Sequence, residues 1–161
     1  MPAGLDRDHP KKRRTHLSHP NALALDRCRW RIGTGVWRPA EEIASVDRRV
    51  REALSKSPAG TKRIPVEIEY EFDAKSLPAG ELLLALAPPA RIHIELNGKT
   101  VPARPDCGAW KGSALRLLRV DPAFVRLGDN RLHLRMACAE TDRLEAIYLL
   151  GEFGVKKVAR T

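Results

Sequence analysis

Four carboxylates at every second position, Glu67, Glu69, Glu71 and Asp73, are the densest acid chemistry in the sequence. On a strand, residues two apart share a face and lie ~6.6 Å apart along the backbone, which is near the spacing of a glycosidase carboxylate pair. Such a pair also needs one carboxyl held protonated inside a cleft. The residues between these carboxylates, Val66, Ile68, Tyr70 and Phe72, are apolar, so the row reads as the solvated outer face of a half-buried strand.

A second constellation is Trp110 with Asp106 and Lys111, in a stretch punctuated by Pro102, Pro105, Gly108 and Gly112. An indole stacks on the apolar face of a sugar while flanking polar groups meet its hydroxyls, which makes these three the candidate carbohydrate-binding residues. The competing reading is that Trp110 plugs one end of the core. Trp30 and Trp37 read as core or helix-packing residues, and His93 and His133 as exposed polar strand positions.

Other chemistries find no support. His16 and His19 have ligand spacing only if a helix forms around them, and no Cys or carboxylate cluster accompanies them, so neither a metal nor a cofactor is expected. Cys28, Cys107 and Cys138 contain no C-x-x-C spacing and read as reduced thiols, Cys28 and Cys138 as small core residues. Those two could pair only if their strands face each other across the fold. There is no G-x-S-x-G elbow and no glycine-rich phosphate loop ahead of a helix. The chain is not expected to be an enzyme.

The elements that must position these residues are mostly strands. The 161 residues fit one domain and an arm. Residues 1–63 hold 15 Lys and Arg against 7 Asp and Glu, whereas residues 64–161 hold 14 against 13, so most of the net charge of +9 lies at the front. Residues 1–20, with Lys11, Lys12, Arg13 and Arg14, read as a disordered basic arm able to meet nucleic acid or another anionic surface. They have no apolar h-region, so no secretory signal is expected, and a complete chain of this kind would be cytoplasmic. No apolar run reaches the ~20 residues of a membrane span.

From residue 21 to 158 a single domain is expected. Ala24 to Ile32 alternate as one strand, with Leu25, Arg27, Arg29 and Arg31 on the wet face. Ile43, Val46, Val50 and Leu54 then recur at helical spacing, and Pro39 with Glu41 and Glu42 places the start of one connecting helix near 39–56. Val66 to Asp73 is the cleanest strand, and the apolar run Leu82 to Ala87 suits a strand covered on both faces. Asn97-Gly98 supplies the two positive φ angles of a type I′ hairpin turn. Further strands are expected over 114–120, 131–138 and 144–150. Short strands with tight turns and a single helix make a β-sandwich.

The order of these signals resembles a family. Ile92 to Lys99 with its Asn-Gly turn, Trp110, and Asp121 through Leu134 with its Gly128-Asp129-Asn130 are similar to the galactose-binding-like jelly-roll module, as in the sugar-binding domain of family 2 glycoside hydrolases. Asn21 to Trp30 and Leu144 to Val155 look like the C-terminal part of large bacterial proteins related to glycoside hydrolases. The likeness spans roughly residues 21–155. It implies a mainly β jelly-roll sandwich that is a non-catalytic accessory module, binding carbohydrate weakly or bracing a neighbouring catalytic domain. The alternative function is nucleic-acid or anionic-surface binding through the basic arm.

Overall fold

The computed structural model describes residues 21–87, 91–103, 107–110, 115–152 and 155–157. The basic arm, with His9, His16 and His19, and the candidate site residues Asp106 and Lys111 lie outside them.

The spine is a pair of twelve-residue strands, β4 (Arg63–Ala74) and β9 (Gly128–Ala139), antiparallel in unbroken register from Arg63 opposite Ala139 to Ala74 opposite Gly128. Strict alternation drives this: Ile64, Val66, Ile68, Tyr70 and Phe72 on one strand and Leu132, Leu134, Met136 and Cys138 on the other are all buried. Around the spine a seven-stranded sheet runs in the order β3 (Arg38–Glu42), β2 (Arg27–Ile32), β4, β9, β6 (Ile92–Leu96), β7 (Lys99–Val101), with β11 (Val155–Lys157) also paired to β4. A four-stranded sheet packs against it in the order β1 (Asn21–Leu25), β10 (Ile147–Gly151), β5 (Leu82–Leu86), β8 (Arg116–Val120). Among the described residues all strand pairings are antiparallel. The molecule is therefore a mainly β sandwich with one α-helix among the described residues, as its sequence pattern requires. The core lies between the sheets, where Leu82, Leu84, Leu86, Leu118 and Leu149 meet the inward residues of the spine.

Two local expectations change. The stretch read as one strand from Ala24 to Ile32 breaks at Asp26, and its halves enter different sheets. The alternation slips there, so Leu25, expected on the wet face, is 3% exposed and belongs to the core. The helix α1 spans Ile43–Ser55, and Pro39 lies in the edge strand β3. An edge strand tolerates a proline because it can turn the position lacking an N–H away from the ladder. Glu42 is still extended, and the Ile43 N–H donates to the Asp26 carbonyl at 2.8 Å. Buried Ile43, Val46 and Val50 seat the helix. Asp47 accepts from the Leu144 N–H at 2.8 Å, and Arg51 donates to the carbonyls of Glu140 and Asp142, tying it to the β9–β10 connection.

The hairpin turn forms as expected, with φ of 53° at Asn97 and 82° at Gly98. It is locked to the second turn motif. Asn130, the one buried polar side chain among the described residues, donates to the carbonyls of Arg126 (2.8 Å) and Gly128 (2.9 Å) and accepts from the Arg126 N–H and from Asn97 Nδ2, both at 2.8 Å. Asn97 Nδ2 also donates to the Phe124 carbonyl at 2.7 Å. These side chains satisfy backbone groups that sheet pairing leaves over, so both turns are structural.

Candidate functional site

The outward residues of the larger sheet carry charge in columns. β2 presents Arg29 and Arg31; β4 presents Glu67, Glu69 and Glu71; β9 presents Arg131, His133 and Arg135; β6 presents His93 and Glu95. Register lines them up across the strands. Arg31, Glu67, Arg135 and His93 form one row, and Arg29, Glu69, His133 and Glu95 the next. A shorter third row pairs Glu71 with Arg131. Opposite charges directly across a ladder attract, so the alternation of basic and acidic columns reinforces the strand order.

The side chains use that proximity. Arg29 Nη1 donates to Glu69 Oε1 at 2.8 Å. Arg31 donates twice to Glu67 Oε2, at 3.0 Å from Nε and 2.8 Å from Nη2. His133 Nε2 lies 2.8 Å from Glu67 Oε1 and its Nδ1 4.0 Å from Glu95 Oε1, so the imidazole is bracketed by two carboxylates. His93 Nε2 lies 3.0 Å from Glu95 Oε2. Burial works to raise the Glu67 carboxyl, but hydrogen bonds from Arg31 and His133 outweigh it and hold the group below the ordinary glutamate value. Glu95 is also held low, chiefly by its hydrogen bond with His93. The carboxylates expected to stand as bare solvated surface are instead paired and half-covered, with Glu69 and Glu67 side chains 14% and 17% exposed.

Part of the cover is Trp37. After β2 the chain reverses: the Gly33 N–H, at a φ of 59°, donates to the Pro65 carbonyl at 2.8 Å, and the Gly35 N–H to the Ile32 carbonyl at 3.0 Å. The returning chain brings Trp37 over the outer face, not into the core or against the helix as its type suggested. The guanidinium carbons of Arg29 and Arg31 lie 5.2 and 4.9 Å from its ring centroid, and the His133 ring lies 6.1 Å away at a 52° tilt. Trp30, by contrast, is core, and its Nε1 donates to Glu41 Oε2 at 2.9 Å.

Trp110 lies on the opposite side of the molecule, on the outer face of the smaller sheet. Its ring centroid is 4.9 Å from that of Tyr148, with the planes tilted by 49°. Together with Leu115 and Leu117 these rings pack on Leu83, Ala85 and Leu150, a small apolar cluster separate from the main core. The backbone holds the loop in place: the Trp110 N–H donates to the Leu115 carbonyl at 2.9 Å, and the Leu117 N–H to the Gly108 carbonyl at 2.9 Å.

No protein-family model matches this sequence, and no curated protein matches it. Among solved structures the chain is similar to one titled "CBM35 from Cellvibrio japonicus Abf62". The two are 18% identical over 86% of this chain and 99% of that chain, with a TM-score of 0.43.

Among the described residues no group of three or more His, Cys, Asp or Glu is placed to hold a metal ion, and no helix is long and apolar enough to cross a membrane. Cys28 and Cys138 are buried free thiols in the same sheet, not facing each other across the sandwich, and burial pushes both up to about 12. Thiols so protonated are poor nucleophiles and poor metal ligands. What the outer face of the larger sheet can do is different. It offers guanidinium donors and carboxylate acceptors in alternating columns ~4.8 Å apart, beside an indole. The strand alternation and the acidic row were readable in the sequence. The arginines that answer the carboxylates were readable only as a basic face, and the position of Trp37 not at all.

Proposed function

We propose that this chain is a non-catalytic carbohydrate-binding module whose ligand lies on the outer face of the larger sheet. The observation that carries this reading is Trp37, laid over Arg29, Arg31 and His133 at the edge of the paired rows. An aromatic ring meets the C–H face of a pyranose, and columns of donors and acceptors meet hydroxyls, which are both. Arg29, Arg31 and Arg131 and the carboxylates of Glu67, Glu69, Glu71 and Glu95 already have partners, so most new hydrogen bonds there compete with an existing one. Weak binding follows. Hydrolysis is disfavoured on the same grounds, because a glycosidase acid needs a carboxyl pushed up, whereas Glu67 and Glu95 are held low. As the sequence resemblance implies, such a module would serve a glycoside-hydrolase-related protein, presenting polysaccharide to a catalytic domain or bracing it.

A second placement of the ligand is favoured by the Trp110–Tyr148 ring pair, with Asp106 and Lys111, which flank Trp110 in sequence, as the polar candidates. Calorimetric titration with a panel of soluble oligosaccharides separates the two. Trp37→Ala is expected to abolish the heat of binding and Trp110→Ala to leave it. The reverse result moves the site to the loop, and no heat from any oligosaccharide with the wild-type protein removes the carbohydrate reading.

A further inference from the structure

A groove of about 250 Å³ opens between α1 and the connection from β2 to β3. Trp30, Ile32, Val36 and Ala53 supply apolar walls, and Arg38, Arg49 and Lys56 supply three cations against one carboxylate, Glu52. Two of those cations are occupied: Arg49 Nε pairs with Glu41 at 3.1 Å and Lys56 Nζ with Glu52 at 3.6 Å. Arg38 differs. Among the described residues no carboxylate lies within ion-pair distance of it, and its guanidinium carbon stands 5.6 Å from the Trp30 ring centroid. The Trp30 ring is itself fixed, because its Nε1 is bound to Glu41. Val36 stands at the rim, 82% exposed.

We infer that this groove is a second binding site, for a small organic acid with an apolar body. Arg38 would take the carboxylate through its forked donors, and Val36, Ile32, Ala53 and the edge of Trp30 would take the body. The volume falls just below the ~300 Å³ where sites for drug-sized ligands begin, which sets the occupant's size at a short-chain acid. The site is separate from the carbohydrate face, since Trp30 and Ile32 point to the opposite side of β2 from Arg29 and Arg31. Either reading can therefore fail without the other.

The test is titration of the full chain with hexanoate, followed by amide chemical shifts, with hexanol and inorganic phosphate as the two half-probes. Hexanoate is expected to give saturable shifts confined to residues 30–38 and 49–56, while hexanol and phosphate bind at least ~tenfold more weakly. Arg38→Gln should weaken hexanoate by a similar factor and Val36→Ser by less, and both positions are exposed, so neither change threatens the fold. Non-saturating shifts overturn the site. So does phosphate acting as strongly as hexanoate, which would mean general attraction to surface cations, or hexanoate binding unmoved by Arg38→Gln.

Discussion

Each sheet of the sandwich has an outer face partly covered by a tryptophan, and the two covers do opposite things. Trp110 and Tyr148 shield Leu83, Ala85 and Leu150, so the centre of the smaller sheet is apolar on both sides and β5 is buried along its whole length. Trp37 shields guanidiniums and carboxylates, so the larger sheet is apolar inside and ionic outside. An aromatic ring over leucines contributes by removing area from water. Over arginines it contributes by cation–π attraction and by excluding water from ion pairs, which is smaller for folding but leaves polar groups beside an aromatic surface, the combination a polar ligand needs. Stability and recognition are thus expected to separate between the faces.

The largest effect should come from the apolar side. Leu150, 1% exposed beneath the Trp110 and Tyr148 rings, is expected to cost ~3 kcal/mol when changed to alanine, read as a lowered urea midpoint, because the overlying rings cannot collapse fully into the space. Trp110→Ala follows at ~2 kcal/mol, less than a fully buried tryptophan because its ring is only partly covered. The two losses should not add, since both changes empty one cluster. Full additivity would show that Trp110 does not cover these residues, and the contrast between the faces would break.

How far this could be read from sequence differs between the faces for a physical reason. Val66 to Asp73 was legible because period-2 alternation is local, and Asn97-Gly98 because two successive positive φ angles select residue types. The helix was legible from Ile43, Val46 and Val50, but its start was not, since Pro39 suits an edge strand as well as a first helical turn. The ion pairs were out of reach. Arg31 and Glu67 are 36 residues apart and Arg29 and Glu69 are 40 apart, and only the pairing of β2 with β4 makes them neighbours. Trp37 depends on the same pairing, because the columns it covers exist only after the sheet forms. The single-strand reading of Ala24 to Ile32 failed because a strand that changes sheets keeps its alternation on either side of the break at Asp26.

On the ionic side the expected stability effects are smaller. Trp37→Ala should cost ~1 kcal/mol or less, the value of exposed cation–π contacts, while removing oligosaccharide binding. A loss of several kcal/mol would mean that Trp37 packs as Trp110 does, and the distinction between the faces would disappear.

The smallest effect is the most diagnostic. Glu67 is held below its ordinary value in the folded protein, so as pH falls the unfolded chain takes up the proton first. Its contribution is therefore fully present above the unfolded value, near 4.5, and is lost as pH falls from there through the folded value. Glu67→Gln should lower stability at pH 7 by on the order of 1 kcal/mol or less, as for other partly exposed ion pairs, and the gap to wild type should close towards pH 3. Urea midpoints measured across that range decide it. A gap that persists undiminished at pH 3 would mean that Glu67 acts through hydrogen bonds that do not need its charge, since glutamine fills the same space, and the face would then not be ionic in its contribution to stability.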